Sequence, residues 1–374
     1  MNRSQPSLKL CALAIVAALS ACGGLAPSGE PGVEDTSESL RTGGLAPLPM
    51  PHVAVTLQNG WTNAPFSTRN AAIFWDPNSG IVHLSGAVSG GSSSTIFTVG
   101  SPYKPDQTVY VPVDLCDGAN GRLIIQTDGT VSVQAQNSFS DAQCFTSLEG
   151  ATWAIGSAGF SAATLQNGWT VYFPGTLALY GQLPLGSAIR FHGSIKTSGT
   201  NPVAFTLPSN LSPSTDVYIP ADLFGAKNGR LHIQPNGTVT VQAESSFSDA
   251  AGFTSLDGTW FLPNSTGTTA LTLVNGWTNA PFSTANAAVI NVNGIVHFKG
   301  AIASGTTGVA FTVPSTMRPS ADVYLPIDLC NATKGRLYIA ASTGVATVSA
   351  EGGTFSNAQC FTSLESASYS IAGF

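Results

Sequence analysis

Charge is what this chain has least of. Only 9% of its 374 residues are Asp, Glu, Lys or Arg, against roughly a quarter in an ordinary globular domain. The formal net charge of −6, part of it local to Glu30, Glu34, Asp35 and Glu38, leaves no basic footprint for nucleic acid. Long apolar runs are missing as well, since Leu10 to Leu19 is too short to span a bilayer. There is no Gly-x-Ser-x-Gly elbow, no phosphate-cradling glycine loop and no Asp-x-Asp-x-Asp-Gly calcium loop. No Cys-x-x-Cys spacing or histidine cluster marks a metal site. These absences point away from catalysis, and the sequence calls for no cofactor and no metal.

What is present is a repeat. Asn59-Gly60-Trp61-Thr62 returns as Asn167-Gly168-Trp169-Thr170 and as Asn275-Gly276-Trp277-Thr278, 108 residues apart each time (169 − 61; 277 − 169). Phe145-Thr146-Ser147-Leu148, Phe253-Thr254-Ser255-Leu256 and Phe361-Thr362-Ser363-Leu364 keep the same interval (253 − 145; 361 − 253). One module of ordinary domain size is written three times, over 53–156, 161–264 and 269–374. Ile81 to Val88 alternates apolar and polar residues, as a half-buried strand does. Asp128-Gly129 between Leu123–Gln126 and Thr130–Val133 is a hairpin signal. Seven or eight short strands per module, with no helical periodicity, predict an all-β fold of three tandem β-sandwich or jelly-roll repeats.

The cysteines divide by place. Cys116 and Cys144 in the first module and Cys330 and Cys360 in the third face Phe224 and Gly252 in the second. Each module keeps two cysteines or none, as the disulfides Cys116–Cys144 and Cys330–Cys360 require, and such bonds imply an oxidising compartment. Each would close a loop of about 30 residues and add roughly 3–4 kcal/mol.

Arg3 and Lys9, the apolar run and then Leu19-Ser20-Ala21-Cys22-Gly23 form a leader that resembles a bacterial lipobox. The resemblance implies a signal peptide over 1–21 and acylation of Cys22, so that membrane lipid is a partner. Gly24 after Gly23, in place of aspartate, favours the outer membrane or cell surface. Residues 22–52, rich in Pro, Gly, Ser and Glu, read as a tether without a core.

Within the module, the resemblance to known proteins runs through Asn59-Gly60-Trp61-Thr62-Asn63, Gly80-Ile81-Val82-His83-Leu84-Ser85-Gly86 and Ile96-Phe97-Thr98-Val99. It continues through Pro105, Val109-Tyr110, Gly121-Arg122-Leu123, Asp128-Gly129-Thr130-Val131 and Leu148-Glu149-Gly150. The cassette resembles the C-terminal head domains of bacteriophage tail-fibre and minor tail proteins. That resemblance implies small receptor-binding β-sandwiches that associate as trimers, and hence three copies packed as one pseudo-threefold head. The lipobox departs from the family's pattern, so what the chain attaches to does not carry over.

The expected function is non-catalytic adhesion or recognition at the cell surface, with a glycan or protein as partner. The alternatives are a passive envelope spacer and a hydrolase with a site between repeats. Asp114, Asp222 and Asp328 recur with Arg122, Arg230 and Arg336, and read as strand-edge ion pairs or as carboxylates capping a loop. Trp61, Trp169 and Trp277, with Tyr110, Tyr218 and Tyr324, read as core anchors. Binding candidates lie where modules differ: Asn63 and Phe66, Asn279 and Phe282 in the ten residues shared by modules 1 and 3, and Tyr172 in the divergent loop of module 2.

Overall fold

Alternation on a hairpin fixes which side chains face inward. In the first module Asn120–Ile125 pairs with Thr130–Ala135, setting Leu123 opposite Val133 and Ile125 opposite Val131, and all four are buried. Thr95–Thr98 and Val109–Asp114 flank this hairpin to complete a four-stranded antiparallel sheet. Val53–Ala54, Ala72–Asp76, Ile81–Ser85 and Thr152–Ala154 make the facing sheet, and Thr62–Asn63, Ala87–Ser89 and Thr146–Ser147 a smaller third one. The same three sheets recur in the second and third stretches of chain. The protein is all-β apart from short helices. The computed structural model describes residues 52–371 except Asn78 and residues 183–187, and they belong to one unit, Pro47–Phe374. The leader, Cys22 and most of the tether lie outside the described residues.

Two expectations need correction. Ile81 to Val88 is not one half-buried strand. Ile81–Ser85 is buried throughout, and the chain changes sheet at Gly86, whose φ is +88°. A Cβ there would sit 2.3 Å from the carbonyl oxygen of Asn70, so only glycine makes this corner. The second correction is helical. Phe139–Cys144, Phe247–Gly252 and Phe355–Cys360 are α-helices of six residues, too short to show a 3.6-residue period. Ser138 and Ser246 cap the first two through their side-chain oxygens.

Each helix ends at the position joined to a neighbouring 3₁₀ turn. Cys116–Cys144 and Cys330–Cys360 are disulfide-bonded. In module 2, Phe224 lies over Gly252 instead, where an added Cβ would be 3.4 Å from the Phe224 ring.

Contacts between modules close a ring. Ser147 donates to the Tyr324 carbonyl, Ser255 to that of Tyr110 and Ser363 to that of Tyr218, each at 2.6 Å. Pro112, Pro220 and Pro326 meet around a central cavity of about 20 Å³, closed by Gly150, Gly258 and Ser366, room for about one water. The Asp–Arg pairs are not strand-edge features of one module, as the sequence suggests. Arg122 binds Asp222 (2.8 Å), Arg230 binds Asp328 (3.0 Å) and Arg336 binds Asp114 (2.5 Å), so each arginine reaches the next module.

Candidate ligand clefts at the module seams

Because Val217 and Ile219 point into the core, Tyr218 between them must point out of it. It faces the third module. Its ring stacks on His232 at 4.3 Å and meets Phe361 edge-on at 5.0 Å. The Arg230 guanidinium lies 4.7 Å from the Tyr218 centroid and 5.9 Å from that of Phe361, a cation held over two aromatic faces. Phe282 stands edge-on to Phe361 at 5.6 Å, and Cys330 with Asn331 completes the wall. The result is an open cavity of about 110 Å³, on the scale that accepts a single six-membered ring. Burial pushes the Tyr218 phenol above its ordinary value, so it keeps its proton and donates at neutral pH.

The 3–1 seam repeats these ring and arginine contacts. Phe145 meets Tyr324 at 4.9 Å, Phe66 meets Phe145 at 5.6 Å, and Arg336 lies 5.1 and 5.7 Å from the Tyr324 and Phe145 rings. Asp117 follows Cys116 as Asn331 follows Cys330. At the 1–2 seam Tyr110 meets Phe253 at 4.9 Å under Arg122. Its lip differs. Tyr172 packs on Phe253 at 4.8 Å, and Phe173 reaches back over Tyr110 at 6.3 Å, nearly parallel at 15°.

The arginines differ in what they leave open. Arg122 donates Nε and Nη2 to Gln134 and Nη1 to Asp222 and the Leu223 carbonyl. Arg230 donates Nε to Gln242 and Nη1 to Asp328 and the Leu329 carbonyl. Arg336 donates Nε to Asp114 and Nη2 to the Leu115 carbonyl. Among the described residues, nothing accepts from Arg230 Nη2 or Arg336 Nη1.

Phe66 and Phe282 are each 59% exposed and sit in left-handed backbone (φ 54° and 53°). That geometry costs an L-residue roughly 1–2 kcal/mol, and strain of this kind gathers at functional surfaces. Phe66, Phe282 and Tyr172 therefore fall at the seams. Asn63 and Asn279 turn their side-chain oxygens to the backbone: each Oδ1 accepts a backbone N–H, from Ala71 and Ala287, at 2.8 Å. Sequence reasoning missed Tyr218, Arg230 and Phe361 and their counterparts, having put the tyrosines in the core. The signal was their position between inward-facing strand neighbours. Trp61, Trp169 and Trp277 are core residues, as expected.

A second set of ionic contacts is structural. Glu149, Asp257 and Glu365 are buried, and each accepts the N–H of a corner glycine, Gly86, Gly193 or Gly300. Arg69, His192 and Lys299 supply the cation at 3.1, 2.6 and 3.9 Å. Although burial opposes it, Asp257 and Asp106 raise His192 to about 10.

Fold and seams together define a class: an all-β chain whose three sandwich units close into a ring, with aromatic clefts carrying arginine where they join. No protein-family model, curated protein or solved structure matches the chain.

Proposed function

We propose that the chain is a surface-anchored bacterial lipoprotein whose β modules act in non-catalytic recognition, with a cell-surface carbohydrate as ligand. The observation that carries this is the 2–3 cleft, where the faces and edges of Tyr218, Phe282 and Phe361 surround a space for one ring and an arginine donor opens onto it. Aromatic faces are electron-rich and attract the polarised C–H edge of a sugar ring, while Arg230 Nη2, the Tyr218 hydroxyl and Asn331 match its hydroxyls. The lining holds no carboxylic acid or imidazole to serve as general acid or base. The lipobox-like leader and the neutral polar surface support a place outside the cytoplasm. The likeness to phage head domains supports receptor binding as the kind of activity. A glycan and cell-surface binding screen with the acylated chain and with residues 53–374 tests the reading. Saturable binding to a defined sugar, lost on Tyr218→Ala, is the expected result; a flat response to every glycan and every cell surface would refute it.

A further inference from the structure

We infer that the chain is bivalent: the 2–3 and 3–1 seams are open ligand sites, and the 1–2 seam is a third copy closed by its own Phe173. The inference rests on the carbohydrate reading above and adds its stoichiometry. Two independent differences coincide at the closed seam. Phe173 covers Tyr110 at 15° from parallel and is itself held edge-on by Tyr172 at 4.8 Å, so the place a sugar ring would take is occupied by a phenyl ring. The arginine there is also more fully engaged: every guanidinium nitrogen of Arg122 has an acceptor, whereas Arg230 and Arg336 each keep one nitrogen without a partner among the described residues. A seam whose ring space is filled and whose arginine is held on all three nitrogens cannot act as the other two do.

The two open seams are not identical. Asp117 stands in the 3–1 seam where Asn331 stands in the 2–3 seam. A carboxylate at that point repels an acidic sugar and accepts additional hydroxyl donors. The 2–3 cleft therefore takes neutral and acidic rings, and the 3–1 cleft neutral ones.

The test uses the full chain labelled with ¹³C at tyrosine rings, with Tyr110, Tyr218 and Tyr324 assigned by Tyr→Phe variants. A neutral gadolinium chelate first reports accessibility without any ligand. Relaxation enhancement is expected at Tyr218 and Tyr324 but not at Tyr110, and Phe173→Ala and Phe173→Ser are expected to bring Tyr110 up to the others. Equal enhancement at all three rings in the wild type would overturn the closure whatever the ligand is. Methyl glucoside, galactoside and mannoside are then titrated, with glucuronic acid as the acidic probe. With the neutral glycosides, shifts confined to Tyr218 and Tyr324, joined by Tyr110 in the Phe173 variants, support bivalence. A neutral glycoside that shifts one ring only, or any sugar that shifts Tyr110 in the wild type, overturns it, whereas glucuronic acid is expected to shift Tyr218 alone. No shift with any sugar, beside the expected chelate pattern, overturns the carbohydrate reading and the bivalence built on it while leaving the closed seam standing.

Discussion

Arg122 donates Nη1 to Asp222 Oδ2 at 2.8 Å, across 100 residues of chain and from one module to the next. Among the described residues, Asp222 keeps its other oxygen unpartnered, as does Asp328, whereas Asp114 has both engaged, by Lys334 at 2.8 Å and by Arg336. Removing one partner of a buried pair leaves an uncompensated charge and costs about 3–5 kcal/mol. Asp222→Ala is expected to fall in that range, and Asp114→Ala to cost more because it strands two cations. Urea unfolding of both variants measures this. Because the ring is closed, each should unfold in one transition, and a separate early step confined to one module would contradict the shared interface.

Histidine burial sets a pH limit. Burial first and the Arg190 charge second lower His83 well below 6.5 and His297 to about 3. For His297, between pH 6.5 and about 3 the unfolded chain takes a proton that the folded chain refuses, so stability drops as pH falls, by about 1.4 kcal/mol per pH unit, and His83 acts in the same direction. Asp222 and Asp328 act with the opposite sign, because burial pushes them up to about 7. The folded state keeps protons there that the unfolded state loses above 3.8, so their contribution fades as pH rises toward 7. His297→Gln should flatten the acid limb between pH 6.5 and 4 relative to wild type in denaturation midpoints. An unchanged slope would remove the buried neutral histidine from the account.

Phe282 tests whether strain serves binding. Phe282→Gly relieves a left-handed backbone worth roughly 1–2 kcal/mol and loses an edge-on ring contact worth about 0.5–1.5 kcal/mol. Thermal stability should therefore stay within about 1 kcal/mol of wild type, while glycoside-induced shifts at Tyr218 disappear. A large loss of stability would make Phe282 a packing residue and not a recognition residue.

The disulfides should act separately. Cys116→Ser with Cys144→Ser, or Cys330→Ser with Cys360→Ser, is expected to cost roughly 3 kcal/mol by freeing a loop of about 30 residues. A reductant added to the quadruple variant should change nothing, and calorimetry with and without reductant checks both statements.

Modules, hairpins and cysteine pairing were legible because each leaves a local mark: an interval of 108, an Asp-Gly turn, cysteines present two at a time. The ring was not. Arg122 and Asp114 lie on paired strands of one hairpin, opposite Pro112 and Asn120, and no local pattern tells that Arg122 prefers the aspartate of the next module. The clefts were half legible. Phe66, Phe282 and Tyr172 were visible as differences between copies, but their walls belong to neighbouring modules and to residues that all three copies share. The cations that pair with Glu149, Asp257 and Glu365 share no residue type, and Arg69 comes from the loop ahead of Ala72–Asp76, so no repeated motif marks the set.

A trimer of identical chains must repeat every residue three times. This chain is released from that obligation. Where His83 and His297 are buried near each other, the middle copy contributes Arg190, held over Trp260 at 5.6 Å and with Asp76 favouring its charge. One buried cation can be accommodated where three would repel one another. Joining the copies end to end thus opens positions that strict symmetry forbids, and the lone Arg190 beside two buried histidines occupies one of them.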